Sequence, residues 1–180
     1  MAAVETIDLR ALDLAPGSET RMAVRVPAVD LRLGGQDYRV EPPEPEVELR
    51  IGRSLSGVHL SLRTEVELVG PCWRCLEAAR VRLAVESEEF AAEGRPADAP
   101  FDEDLDSAYV QDLRLDVAGW ARDAIAEAVP ATILCREDCA GLCPTCGANR
   151  NAGDCGCVVV ETDPRWDALR EVSKRLSRDD

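Results

Sequence analysis

The sequence predicts an α+β fold, with an antiparallel β-rich N-terminal half, a packed helix and a C-terminal cysteine-rich segment. Three features of the chain support this prediction. Apolar and polar residues alternate through residues 47–68, which is typical of strands with one solvent-facing side. An apolar stripe of helical period follows Asp116, and six of the eight cysteines fall within residues 135–157, as expected of a zinc-binding segment.

The first 45 residues carry a weaker pattern. Residues 22–26 alternate enough for a strand, and Gly34-Gly35 predicts a hairpin turn between short apolar runs. A run of prolines after residue 41 then interrupts regular strand pairing. Most of residues 1–45 is therefore expected to form surface loops around these short strands.

The middle of the chain predicts a set of short strands. Residues 47–51, 58–62 and 66–68 alternate, and Cys72-Trp-Arg-Cys75 separates them from a further strand at residues 81–85. The cysteines at 72 and 75 are therefore expected at the tip of a β-hairpin, where both thiols can face the same ligand.

The chain divides into two predicted parts. Residues 86–106 are rich in acids and contain glycine and prolines, which predicts a solvated loop. A helix is predicted over residues 116–129, and Pro130 ends it. We therefore expect a body of residues 1–130, followed by a metal-binding segment of residues 131–180 that ends in a second helix.

The cysteines form four close pairs, which is the number that two four-thiolate metal sites require. The candidate ligands are Cys72, Cys75, Cys135, Cys139, Cys143, Cys146, Cys155 and Cys157. Four ligands within residues 143–157 close only a short loop, which costs the least chain entropy. This favours one site from those four and another from the remaining pairs. The alternative is a two-knuckle zinc ribbon that joins the pair at 72 and 75 to the pair at 143 and 146.

Other uses of cysteine fit the sequence less well than two zinc ions. Disulfides need an oxidising compartment, but the first thirty residues contain acids and no continuous apolar stretch, so a cytoplasmic protein is expected. A redox C-x-x-C motif needs only one cysteine pair. Iron-sulfur clusters also accept four thiolates and stay open as an alternative. Metal affinity is expected to decrease as the pH is lowered, because protons compete with the metal for thiolate.

The net charge of −14 restricts the partners of the protein. With eight thiolates and two zinc ions bound, the charge would be about −18, which repels a phosphate backbone at long range. No 18-residue apolar run is present, so no membrane span is expected. The candidate contacts to RNA or to a partner are basic residues near the C-terminus: Arg150, Arg165, Arg170, Lys174, Arg175 and Arg178.

A series of short motifs follows in a fixed order along the chain: Asp8-Leu-Arg with Pro16-Gly17, Cys72-Trp-Arg-Cys75-Leu, Glu127-Ala-Val-Pro130, Cys135-Arg-Glu-Asp-Cys139, Gly141-Leu-Cys-Pro-Thr-Cys-Gly147, Asn151, Cys155-Gly-Cys157 and Asp163-Pro-Arg165. This order resembles the YceD-like family, the large ribosomal RNA subunit accumulation proteins of bacteria and plastids, in their actinobacterial form. One departure is Asn149-Arg150-Asn151, where the family often has Asn-Leu-Asn.

The resemblance implies a non-enzymatic factor in the accumulation of the large-subunit (23S) ribosomal RNA. The implied partner is a precursor of the large ribosomal subunit, through its RNA or a basic ribosomal protein, and no small-molecule substrate is expected. The acidic residues 86–106 are a candidate docking surface for such a basic protein. Sites closed by four thiolates leave no position for a reacting water, so catalysis by zinc is not expected.

Three other functions compete with this interpretation. The density of cysteines suits a zinc or thiol redox-responsive regulatory protein. A zinc-ribbon transcription regulator is disfavoured by the negative charge. A ribonuclease is the weakest alternative, because the only histidine, His59, lies within a predicted strand and has no partnered nucleophile.

Overall fold

A computed structural model of the chain describes residues 3–93, 100, 106–157, 166 and 169. Its elements are β1 (Thr6–Asp8), a 3-10 helix (Leu9–Leu12), β2 (Glu19–Arg25), β3 (Leu31–Leu33), β4 (Gln36–Glu41), β5 (Glu46–Arg53), β6 (Gly57–Pro71), β7 (Ala78–Ala92), β8 (Val110–Gln111), β9 (Arg114–Asp116) and α1 (Val117–Glu127). The predicted α+β class with antiparallel sheets is confirmed.

The main sheet is organised around β6, which is long enough to pair with three strands. Along one edge it pairs with β5 and, further on, with β4, while β7 follows its whole length along the other edge. Strand β2 continues the sheet beyond β5, and β3 continues it beyond β4. All of these pairings are antiparallel, so the β6–β7 hairpin carries the C-x-x-C turn at one end of the sheet.

Alternation along each strand separates the two faces of the sheet. In β5, Val47, Leu49 and Ile51 are buried while the residues between them are exposed, and β6 repeats the pattern through Leu60 and Leu62. Successive side chains of a strand point to opposite faces, so this alternation places one apolar face on the core and leaves a charged face in solvent.

The helix α1 covers part of the apolar face. Asp116 caps it by accepting a hydrogen bond from the Gly119 amide at 2.9 Å, and Trp120 is fully buried beneath it. The Trp120 Nε1 donates to Ser87 Oγ on β7 at 2.9 Å, which satisfies the one polar atom of that side chain. A small sheet of β1, β9 and β8 lies just before the helix.

The structure corrects two predictions in the first half of the chain. The predicted strand at 22–26 and the Gly34-Gly35 hairpin are confirmed as β2 and the β3–β4 pair, but residues 3–45 are not mainly loops, because β2 begins at Glu19 and pairs with β5 along its full length. The predicted strands at 58–62 and 66–68 are one strand, since β6 runs unbroken from Gly57 to Pro71. Thr64 joins its two halves, with its hydroxyl donating to the Glu46 carbonyl at 2.8 Å.

The predicted acidic loop at 86–106 is wrong in its first part. Strand β7 continues to Ala92, because its pairing with β6 extends to the Gly57–Ala92 pair. Acidic residues such as Glu86 and Glu88 lie on the exposed face of the sheet, where their carboxylates stay hydrated and carry no desolvation penalty. The remainder of that segment lies largely outside the described residues.

The predicted helix over 116–129 corresponds to α1, and the predicted second helix falls almost wholly outside the described residues. Of that C-terminal stretch, Trp166 and Leu169 are described, and both are 58% exposed. The division into residues 1–130 and 131–180 stays a prediction. Within the described part of the chain, no helix has the length and apolarity needed to cross a bilayer.

Candidate metal centre

Four cysteines from two distant parts of the chain meet at one end of the main sheet. We call Cys72, Cys75, Cys135 and Cys139 the first cysteine group, and their sulfur atoms all lie within 4.8 Å of one another. The Sγ atoms of Cys72 and Cys139 are 3.8 Å apart, and those of Cys75 and Cys135 are 3.6 Å apart. Three of the four cysteines are buried, and Cys135 is exposed.

The β6–β7 turn is closed in a way that aims its two thiols at the segment after α1. The Cys72 amide donates to the Glu77 carbonyl at 2.7 Å, and the Leu76 amide donates to the Cys72 carbonyl at 2.9 Å. The Trp73 amide donates to the Ile133 carbonyl at 2.8 Å, and this hydrogen bond attaches the incoming segment to the turn. Ile133 is fully buried, so the core itself positions Cys135.

The hairpin of β3 and β4 also stabilises this turn, through Tyr38 on β4. Tyr38 is fully buried, its ring lies against Gly70, and its hydroxyl donates to the Pro71 carbonyl at 2.7 Å. A Cβ atom at Gly70 would collide with that ring, so only glycine fits there. The first cysteine group therefore rests on ordinary core packing as well as on its own thiols.

The thiols of the first group differ in pKa, and therefore in how readily each forms the thiolate that binds a metal ion. Burial disfavours the Cys72 thiolate, but hydrogen bonds from the backbone amides of Cys135, Arg74 and Cys75 outweigh burial and lower its pKa to about 6. Desolvation of its sulfur among the other thiols, followed by hydrogen bonds with those thiols, raises the pKa of Cys135 to about 12, although the residue as a whole is exposed. The hydrogen bonds around Cys72 therefore favour its thiolate, whereas Cys135 needs a bound cation to ionise.

A second set of four thiols lies in the chain immediately after the first. We call Cys143, Cys146, Cys155 and Cys157 the second cysteine group, and their sulfur atoms also lie within 4.8 Å of one another. Cys143 is buried, Cys157 is half-buried, and Cys146 and Cys155 are exposed. Backbone hydrogen bonds from Cys146 and Thr145 lower the pKa of Cys143 to about 6. Hydrogen bonds with the neighbouring thiols raise that of Cys157 to about 12.

Asn151 connects the two groups. Its Nδ2 donates to the Cys139 sulfur at 3.4 Å, and its Oδ1 accepts from Arg136 at 2.7 Å and from the Ala140 amide at 2.8 Å. The hydrogen bond from Asn151 is the main reason that the pKa of Cys139 is lowered. Asn151 lies in the loop that joins the two halves of the second group, so that loop stabilises a thiolate of the first.

The side chain and backbone of Arg74 add a further connection between the groups. Its guanidinium donates to the Cys139 carbonyl at 3.1 Å, and its own carbonyl accepts from the Leu142 amide at 2.9 Å. The Arg150 amide donates to the Gly141 carbonyl at 2.9 Å, which draws the next turn onto the same surface. The two groups therefore form one continuous unit with the end of the sheet.

The donor set and spacing fit zinc. A tetrahedral zinc ion with sulfur at about 2.3 Å separates its ligand atoms by about 3.8 Å, which agrees with the 3.6 and 3.8 Å distances of the first group. None of the eight cysteines forms a disulfide. The structure therefore brings the thiols together in the grouping that loop length favours, and the pair at 72 and 75 does not meet the pair at 143 and 146.

The other predicted site residues lie apart from the thiols or outside the described residues. Arg150 is exposed, and its side chain has no polar partner among the described residues. The basic residues Arg165, Arg170, Lys174, Arg175 and Arg178 lie outside the described residues. His59 is exposed on β6, with its ring centroid 4.6 Å from that of Phe90, as expected of an outward-facing strand residue.

Sequence reasoning missed two residues of the site. Asn151 was noted as part of a motif, but nothing in the sequence indicates that its side chain reaches a cysteine twelve residues away. Leu76 has a φ of +63°, a left-handed conformation that is strained for a leucine, and its side chain is 56% exposed. Its position directly after a C-x-x-C motif, where Gly147 follows the second such motif, is the signal that could have identified it.

Comparison with known proteins assigns the chain to a family. Uncharacterized proteins of Mycobacterium bovis and Mycobacterium tuberculosis are 31% identical over 176 residues, which cover 96% of this chain and 83% of the relatives. An uncharacterized protein of Mycobacterium leprae is 27% identical over 173 residues, covering 92% of this chain and 76% of the relative. No solved structure matches the chain at a significant level. The family model "Large ribosomal RNA subunit accumulation protein YceD" matches residues 60–173, and the chain therefore belongs to the YceD family.

Proposed function

We propose that this protein is a zinc-stabilised, non-enzymatic factor for the accumulation or assembly of the large-subunit (23S) ribosomal RNA. The family name implies a role in accumulation of the large ribosomal subunit RNA. The single observation that carries the rest of the proposal is the pair of four-thiol groups at one end of the sheet. Their ions would hold together chain segments that recognise a partner.

Zinc bound in these groups would act as a structural ion. Each group supplies four thiolate ligands, so neither leaves a position at which the metal would activate water. Closed four-thiolate sites are typical of zinc that contributes folding free energy. The reducing cytoplasm, in which thiols persist, is the compartment that suits such sites.

The charge of the protein restricts how it would meet a ribosomal precursor. A chain with a net charge of −14 does not gain from long-range attraction to RNA. We expect a basic ribosomal protein to dock on the acidic side chains of the exposed sheet face. The exposed Arg150 and the basic residues of the C-terminal stretch would make local contacts with RNA phosphates.

Co-sedimentation with precursors of the large subunit tests this function. The full-length protein should travel with a large-subunit intermediate at low and moderate salt, and Arg150→Ala should weaken the association and reduce its salt dependence by about one counterion. Arg122→Ala is the matched control, because Arg122 is also exposed but lies on α1, paired with Asp123. No association with any large-subunit intermediate would contradict the proposal.

A redox-responsive regulatory protein is the second candidate function. The exposure of Cys146 and Cys155 favours it, because oxidation of thiols follows their accessibility. In this case mild peroxide should release the ion of the second group before that of the first, followed by disulfide formation. If both ions stay bound through mild peroxide treatment, the regulatory function is excluded.

A further inference from the structure

Strand β7 forms a long edge of the main sheet. It pairs with β6 over residues 78–92, and within residues 3–93 and 106–157 no strand pairs with its other side. An open edge of this length presents a row of hydrogen-bonding groups that natural proteins normally cover or protect. The occupant of this edge can be inferred from the order of charges along it.

The register of the hairpin fixes which residues present backbone groups at the open edge. The Cys72 amide donates to the Glu77 carbonyl, and the Glu93 amide donates to the Ser56 carbonyl, so the backbone N–H and C=O groups of the odd-numbered residues of β7 point toward β6. Backbone groups alternate in direction along an antiparallel strand, and the N–H and C=O groups of the even-numbered residues therefore point to the open edge. No backbone hydrogen bond to these residues exists elsewhere in the described chain.

The same even-numbered residues carry charges in two blocks of opposite sign. Arg80 and Arg82 come first, Ala84 is in the middle, and Glu86 and Glu88 follow. All five side chains are exposed on the outer face of the sheet. The Arg82 side chain is 93% exposed, and its Nε lies 3.8 Å from Glu67. Arg80 is held more closely, by Glu41 and Glu67, and Glu86 lies 3.4 Å from Arg63 on β6.

We propose that the open edge of β7 binds the same edge of a second copy of this chain, in an antiparallel pair centred on Ala84. In this register Arg82 faces Glu86 of the partner subunit, and Arg80 faces Glu88 of the partner subunit. The two-fold axis repeats both pairs, so every charge in the two blocks meets its opposite. Ala84 faces its own copy, where no side chain obstructs the approach.

Charges on an edge strand usually prevent association, but their order matters. Scattered charges of one sign repel every incoming strand. Two blocks of opposite sign instead attract an identical antiparallel strand when it is aligned in one particular register. Shifting the register by two residues places Ala84 opposite a glutamate or an arginine and leaves charges unmatched. The pairing is therefore specific to one alignment, and it would join the two main sheets into one continuous sheet.

Charge exchange across the edge tests the dimer. Sedimentation equilibrium of the metal-loaded full-length protein should give twice the chain mass, with dissociation on dilution. Arg82→Glu and Glu86→Arg should each raise the dissociation constant by about tenfold or more, because each replaces two attractive pairs with two repulsive ones. The double variant Arg82→Glu/Glu86→Arg should recover the homodimer, and an equimolar mixture of the single variants should form a heterodimer.

Glu48→Arg is the matched control, because it makes the same charge change on the exposed face of β5, away from the edge. It should leave the dissociation constant unchanged. Amide hydrogen exchange supplies a second measurement, in which protection at residues 82, 84 and 86 should fall as the protein is diluted. A monomer at all concentrations, or protection of these amides that is independent of concentration, would overturn the proposal.

Discussion

The two cysteine groups contain the same four-thiol set but differ in what surrounds them. In the first group three thiols are buried, and Tyr38, Ile133 and the ends of β6 and β7 pack around them. In the second group one thiol is buried, and the ligands lie within a short exposed stretch of chain. The first group is therefore part of the protein core, whereas the second group mainly stabilises its own stretch of chain.

The C-x-x-C turns of the two groups share one backbone geometry. The Cys72 amide bonds to the carbonyl five residues later and its carbonyl accepts from the amide four residues later, and Cys143 makes the same two hydrogen bonds. The pKa of this cysteine is about 6 in both turns, and the amides two and three residues later contribute to lowering it, together with the Cys135 amide in the case of Cys72. The difference between the groups is therefore one of environment and not of local turn structure.

Removing one ligand from each group should give the largest difference. We expect Cys72→Ser to lose the ion of the first group and to lower the unfolding free energy by at least about 3 kcal/mol, since it also exposes the end of the sheet. Cys155→Ser should lose one ion and lower the unfolding free energy by less than Cys72→Ser does, because the second group is not packed into the core. Metal analysis per chain and thermal unfolding measure both effects. Equal destabilisation by the two variants would contradict the comparison.

Asn151 allows the dependence of the first group on the second to be measured. Asn151→Ala should weaken metal binding by the first group by about tenfold to a hundredfold, because a hydrogen bond to a ligand stabilises its thiolate form. Chelator competition in the protein with all eight cysteines keeps the loop of the second group in place, and the ion that the chelator removes last reports on the first group. Gln111→Ala is the control, because it also removes an amide side chain, at an exposed position on β8. Equal metal affinity with and without Asn151 would show that the hydrogen bond is not functional.

The smallest expected effect concerns the residue after each C-x-x-C motif. Leu76 has a φ of +63° and Gly147 a φ of +74°, a conformation that costs a leucine about 1 kcal/mol. Leu76→Gly should therefore stabilise the protein by about 1 kcal/mol, and Gly147→Leu should destabilise it by a similar amount. Denaturant unfolding measures both. Leu55→Gly, at an exposed leucine without this conformation, should not stabilise; if it does, backbone strain is not the cause.

Much of the fold follows from local sequence patterns. The alternation in β5 and β6, the apolar stripe of α1 with its Asp116 cap, and the Gly34-Gly35 hairpin are local signals, and the structure contains each of them. Strand β2 was underestimated because its pairing with β5 brings together segments that are far apart in sequence. The acidic end of β7 was read as a loop because composition cannot indicate that a charged strand has a partner.

The number and spacing of the thiols are properties of the sequence, and the short loop between residues 143 and 157 is enough to favour their grouping. Three features became visible only in the folded chain: three thiols of the first group are buried in the core, Asn151 reaches Cys139, and no described strand pairs with the outer side of β7. Local conformation can be predicted because it depends on neighbouring residues. Burial, hydrogen bonds between distant segments and the exposure of a strand edge depend on how the whole chain packs.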